Sequence, residues 1–156
     1  MKKLFSAIVL IGMLFLASSC KKDSNGNNIY KMNASIGGTQ WIAPLPGGVL
    51  SSGVLVITGT SLTGETMVVT IKGETTGSYE LNVLAQKEQC LGTYKATLTT
   101  TMDDTYVSAS GKVLLTKVDK TNNLVSGTFE FDLANKSFAV KQITNGAFND
   151  VTFVLD

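Results

Sequence analysis

The chain has 156 residues, with 13 lysines against 12 acidic side chains, a net charge of +1, and neither histidine nor arginine. The missing histidine excludes the usual general base, the Ser–His and Cys–His nucleophile pairs, and zinc sites built on histidine and cysteine. The missing arginine removes the bidentate clamp for carboxylate or phosphate, and without a basic excess nothing follows a nucleic-acid backbone.

At the start, Lys2 and Lys3 precede an apolar run, Leu4–Leu16 (LFSAIVLIGMLFL), and small residues Ala17, Ser18 and Ser19 stand before Cys20. The run is shorter than the roughly 20 residues a spanning helix needs and suits a signal-peptide core of about 7–15 residues. Leu16-Ala17-Ser18-Ser19-Cys20 resembles a bacterial lipobox. The resemblance implies cleavage before Cys20 and acylation of its thiol and of its new amino group. One acyl chain gives only reversible attachment, whereas two or three on one cysteine anchor a protein stably. The expected organisation is therefore a lipoprotein signal peptide over residues 1–19, a lipidated flexible tether over residues 20–28 and a single β-domain over residues 29–156. Lys21-Lys22-Asp23 resemble, in part, the surface-export signals of Bacteroidota lipoproteins. They imply an outer-membrane anchor, with the cell surface favoured over the periplasmic face.

From Ile29 onward the pattern is that of strands, and no run of ten residues has helical period. Ile29–Ile36 and Thr39–Ala43 flank Gly37-Gly38, a two-residue hairpin signal. Pro44–Gly48 breaks the pattern. Gly53–Thr60 reads as a central strand, Ser61–Glu65 as a turn, and Thr66–Lys72 as a strand with Met67, Val69 and Ile71 on one face. Gly77–Val83 is a shorter strand. Thr93–Thr100 alternates, then Thr105–Ser110 and Lys112–Val118 follow with Gly111 as a bend or bulge. Asp119–Asn123 is a turn. Leu124–Ala134 alternates most cleanly, with Phe129, Phe131 and Leu133 opposite Thr128, Glu130 and Asp132. Phe138–Thr144, Asn145-Gly146 and Ala147–Leu155 are expected to form a closing hairpin. About ten short strands make an all-β fold, an antiparallel β-sandwich or, as the alternative, a closed lipocalin-like β-barrel. The sandwich is preferred because Gly53–Thr60 and Val113–Leu115 read as buried on both faces.

Three segments, Met32–Trp41 (MNASIGGTQW), Val125–Phe131 (VSGTFEF) and Ile143–Phe148 (ITNGAF), together with the lipobox, resemble a family of small Bacteroidota outer-membrane lipoproteins whose domain has no known function. The resemblance implies a β-rich fold and an envelope location, and it brings no catalytic residues.

The chemistry left open is limited. Trp41 with Tyr30, Tyr94 and Tyr106 is the candidate platform for a sugar or peptide, set against burial of Trp41 in the core. Asp103, Asp104 and Asp119 are calcium candidates, set against turns closed by their own carboxylates. Glu130 and Asp132 share a strand face and leave carboxylate-pair glycan hydrolysis open, set against a plain solvated strand face. Cys90 is left without an internal partner by the commitment of Cys20 and is expected to be buried and inert. No cofactor is expected. The expected function is non-enzymatic: an envelope lipoprotein, held to the membrane through Cys20, that binds an envelope protein or glycan or joins an assembly. The alternative is a carrier of a small apolar ligand.

Overall fold

The computed structural model describes residues 31–96 and 105–156. The expectations for Cys20, Tyr30, Asp103 and Asp104 lie outside them. In chain order the strands are β1 (Met32–Ile36), β2 (Thr39–Ala43), β3 (Gly47–Ser51), β4 (Val54–Thr60), β5 (Thr66–Lys72) and β6 (Gly77–Asn82). A short 3-10 turn, Val83–Ala85, follows β6. Then come β7 (Lys87–Glu88), β8 (Cys90–Lys95), β9 (Thr105–Asp119), β10 (Leu124–Ala134) and β11 (Val140–Leu155).

Seven strands close on themselves in the order β11-β3-β4-β5-β8-β9-β10 and back to β11. Only the β11–β3 contact is parallel, with Phe153 beside Gly48. Two hairpins extend the wall. β1–β2 pairs along the first half of β11, beyond the start of β3, and β6–β7 pairs along β9 beyond the β8 contact. The all-β expectation holds, and of its two architectures the closed barrel is the one formed.

The preference for two stacked sheets fails at its own residues. Val54 and Val56 are only partly covered, Thr58 and Thr60 are exposed, and Leu114 is 44% exposed. These strands therefore have one wet face, as a single curved layer requires. Inside, β5 places Met67, Val69 and Ile71, and β10 places Phe129, Phe131 and Leu133, all buried. The rings fill the barrel by lying on bare backbone: Phe131 meets Gly92, Phe148 meets Gly127 and Phe129 meets Gly146.

Gly37-Gly38 forms the expected hairpin, with φ of 57° and 86°. The expected closing hairpin at Asn145-Gly146 does not form. β11 runs through it as one strand of 16 residues, in which Gly146 pairs with Phe129 and Ala147 with both Thr128 and Asn33. Asn145 (φ 52°) is instead the extra residue of a β-bulge, and Asp150 (φ 45°) sits where the register shifts again. Bulges bend a strand and increase its twist, which lets one long strand serve several neighbours around a barrel. β9 is continuous across Gly111, and its register against β10 shifts close by, between Ser108 and Ser110. β3 (Gly47–Ser51) begins inside the expected break Pro44–Gly48 and runs on through Val49–Ser51, for which no strand is expected.

Candidate functional site

β1, β4 and β10 run in one direction and β2, β5 and β11 in the other. The turns Gly37-Gly38, 61–65 and 135–139 therefore share one end of the barrel, called here the upper end. Just inside it, β2 and β8 converge on Glu65, the last residue of the β4–β5 turn. Trp41 Nε1 donates to the Glu65 carbonyl at 3.3 Å, and the Tyr94 hydroxyl donates to Glu65 Oε1 at 2.6 Å. Thr63 and Ser61 donate their hydroxyls to Oε2 at 3.0 and 3.3 Å. The Tyr106 ring lies 6.1 Å from that of Tyr94, tilted by 47°. Lys141 Nζ stands 5.9 Å from the Tyr94 ring centre and 5.1 Å from that of Tyr106, within cation–π reach.

Of the aromatic residues expected to form a platform, the structure thus brings Trp41, Tyr94 and Tyr106 to one end. Their faces are not presented to solvent equally. Trp41 and Tyr94 are each 3% exposed, and only Tyr106 is half-buried. Burial, and then the hydrogen bond to Glu65, push the Tyr94 hydroxyl above its ordinary value, so at neutral pH it is a proton donor to a carboxylate. The arrangement ties β2, β5 and β8 together and closes the barrel end with polar tips over apolar bodies. Glu65 and Lys141 are absent from the residues expected at this site. Lys141 carried a readable signal, since it shares the inward parity of Ile143 on β11.

Cys90 is buried, and its thiol donates to the Tyr79 carbonyl at 3.2 Å. Burial pushes it up to about 11, so it is neutral and unreactive at pH 7. It lies under a cleft of about 250 Å³ where β6 parts from β8, bounded by Leu81, Val83 and Leu91, with Lys72 and Glu88 at the rim.

The outer face of β6, β9 and β10 carries the charges. Lys112 stands directly between Glu80 and Glu130 on its two neighbours, 2.9 Å from Glu130. Lys87 holds Glu80 at 2.6 Å and keeps its carboxyl below the usual range. Asp132 accepts from Ser110 at 2.8 Å and from Gln142 at 3.2 Å. A glycosidase acid needs a desolvated carboxyl with a raised pKa. Glu130 and Asp132 are exposed rather than desolvated, and of the two only Glu130 lines the shallow depression of about 420 Å³ beside Lys112 and Asn145.

Asp119 spends its oxygens on its own turn. Oδ1 accepts from the amides of Thr121 and Asn122 at 3.1 and 3.0 Å, and Oδ2 from the Asn122 side chain at 2.8 Å. The Asn122 bonds hold its carboxyl below the ordinary value. Among the described residues, no three His, Cys, Asp or Glu side chains gather as a metal site would require.

Fold and site together define a small closed β-barrel domain with a packed interior and one aromatic, hydroxyl-rich end. The chain belongs to the family described as a domain of unknown function (DUF6252), whose model matches residues 28–152. Searches of curated proteins and of solved structures found no match.

Proposed function

We propose that the protein is a non-enzymatic lipoprotein of the cell envelope, anchored in the outer membrane through Cys20, whose barrel serves as a binding or assembly module at that membrane. The observation that carries this reading is the order of the first twenty residues: two lysines, a thirteen-residue apolar run, Ala17-Ser18-Ser19 and Cys20. The partial resemblance of Lys21-Lys22-Asp23 to surface-export signals favours the outer face, and an envelope protein or glycan is the partner class. Among the described residues, β2, at one end of the sheet order, pairs only with β1, and its outer side is an edge to which an extended segment could add a strand.

Barrel closure favours a second reading, that of a carrier for a small apolar ligand. Against it stands the interior, occupied by Phe129, Phe131, Phe148 and Phe153. The hydrolase reading has less support, because Glu130 is ion-paired and solvated.

The test compares the tagged, full-length chain with its Cys20→Ala variant. Radiolabelled acyl groups and flotation with outer membranes are expected for the first and lost in the second. Equal flotation of both would sink the anchoring reading. Recovery of no envelope component above the variant's background, from solubilised membranes, would sink the assembly reading. Protease added to intact cells should cut the domain if it is displayed outside.

A further inference from the structure

The two ends of the barrel differ in a way that its folding does not require. At the upper end, Leu62 is 94% exposed and Phe138 is 87% exposed, with Val140 beside it at 69%. Neither tip sits on a loose loop. In the β4–β5 turn, Ser61 N donates to Glu65 O at 2.8 Å, Gly64 N to Ser61 O at 3.0 Å and Glu65 N to Ser61 Oγ at 3.1 Å. In the β10–β11 turn, Asn135 N donates to Ala139 O at 3.1 Å and Phe138 N to Asn135 O at 3.0 Å. Asn135 Oδ1 also accepts from Ser137 N and Ala139 N at 3.0 and 2.8 Å. Phe138 is held at φ 61°, a backbone region that bulky residues rarely occupy. A large apolar ring in full solvent, on a strained backbone whose amide is hydrogen-bonded, has no role in the core.

The turns at the opposite end, Ser52-Gly53, residues 73–76 and residues 120–123, hold no large apolar side chain and carry the Lys120–Glu74 ion pair at 3.1 Å. The opposite end does hold Val154 and Leu155, 59% and 60% exposed, but on the last residues of β11 rather than at a turn tip, and Leu45 and Leu84, also exposed, lie between the two sets of turns, next to the levels of Phe148 and Ser110. Directly behind the upper tips, Tyr106 and Lys141 are half-buried. Amphipathic rings and lysine stems of this kind sit at headgroup depth in membrane-associated proteins.

The chain's own tether supplies the surface. Eleven residues separate Cys20 from Met32, and they can span at most about 40 Å. They join the barrel where Lys31 accepts from Asn149, part-way down the wall. From there the upper end is only the length of β1 away, about 17 Å for five residues. Either end is within reach, and the polarity of the turns decides between them.

We propose that Leu62 and Phe138 insert into the headgroup–acyl boundary of the bilayer that holds the Cys20 lipid, so that the barrel stands with its upper end on the membrane. The inference rests on the anchoring reading of Cys20. The two side chains orient a protein that the lipid holds. Their rigid turns mean that little conformational freedom is lost on insertion.

The test places a single environment-sensitive fluorophore on the acylated full-length chain, through Leu62→Cys, Phe138→Cys or Thr121→Cys in a Cys90→Ala background. The chain is bound to phosphatidylcholine vesicles with or without brominated lipid. Probes at 62 and 138 should shift to the blue and be quenched by bromine, and the probe at 121 should do neither. Should the Cys90→Ala background not fold, slowed amide exchange at residues 62–64 and 137–139 on vesicles gives the same reading in the unsubstituted chain. A chain that floats with the vesicles while these positions stay in water overturns the proposal and leaves the anchoring reading intact. Shielding only in native membranes, never in pure lipid, also overturns it by assigning the tips to a protein partner. A chain that does not float at all overturns both.

Discussion

Glu65 is held by hydroxyls rather than by a cation: Tyr94, Thr63 and Ser61 donate to it, and among the described residues it makes no ion pair. A hydrogen bond to a charged acceptor contributes more than a neutral one, and losing the donor leaves a half-buried oxygen to find water. Tyr94→Phe should therefore destabilise the barrel by about 1–2 kcal/mol, read as a lower urea midpoint with an unchanged slope. Burial acts on Cys90 differently. Its thiol moves from 9.0 up to about 11, so between those values the unfolded chain has lost a proton that the native chain keeps. The stability contributed by this group is complete below pH 9 and disappears as the pH rises towards 11, a change of up to about 2–3 kcal/mol. Urea midpoints measured from pH 8 to pH 11 should fall, and the Cys90→Ala chain should show a shallower fall. A thiol reagent at neutral pH should label Cys90 only in denaturant.

At the scale of the strand, β11 decides the architecture. A Cβ added at Gly146 would lie 2.5 Å from the Phe129 carbonyl and 2.6 Å from its ring. Gly146→Ala should cost roughly 1–3 kcal/mol through overpacking, whereas Asn145→Gly, at φ 52°, should be neutral or slightly stabilising. Thermal melts of the two variants separate a position set by contact from one set by backbone conformation. The same strand marks where the sequence can be read and where it cannot. Alternation over Thr66–Lys72 and Leu124–Ala134 is a local signal, and both strands end where the pattern ends. Gly37-Gly38 and Asn145-Gly146 carry equivalent turn chemistry, yet only the first turns. The difference is that β1 and β10 flank Asn145-Gly146 on both sides and hold it in the sheet. Closure depends on such non-local pairing, so outer residues such as Val56 and Leu114 read as buried from sequence although the layer is single. The site was partly legible for a related reason. Trp41, Tyr94 and Tyr106 stand out by residue type, while Glu65 and Lys141 matter only once β2, β5, β8 and β11 have been brought to one end.

At the scale of the molecule, charge and apolar surface are segregated. The Glu80–Lys112–Glu130 row and the Lys117–Asp150 pair, at 3.0 Å, lie on the outer face of β6, β9, β10 and β11. The outer face of β3, β4, β5 and β8 carries Val49, Val56, Val68 and Leu91 in place of charges over its middle. A barrel standing on its upper end would turn both faces outward, parallel to the surface it stands on.

The parallel contact of β11 with β3 has a kinetic meaning as well. Residues Phe153–Leu155 seal the wall against Gly48–Leu50, so the first half of the barrel gains its missing neighbour only from the end of the chain. Pairings this distant in sequence form late and slowly. A chain synthesised from its N-terminus cannot close the ring until β11 is free, and until then the ring stays open. Removing Val151–Asp156 should leave that state permanent, seen as lost near-ultraviolet dichroism from Trp41 and Tyr94 and increased binding of a hydrophobic dye.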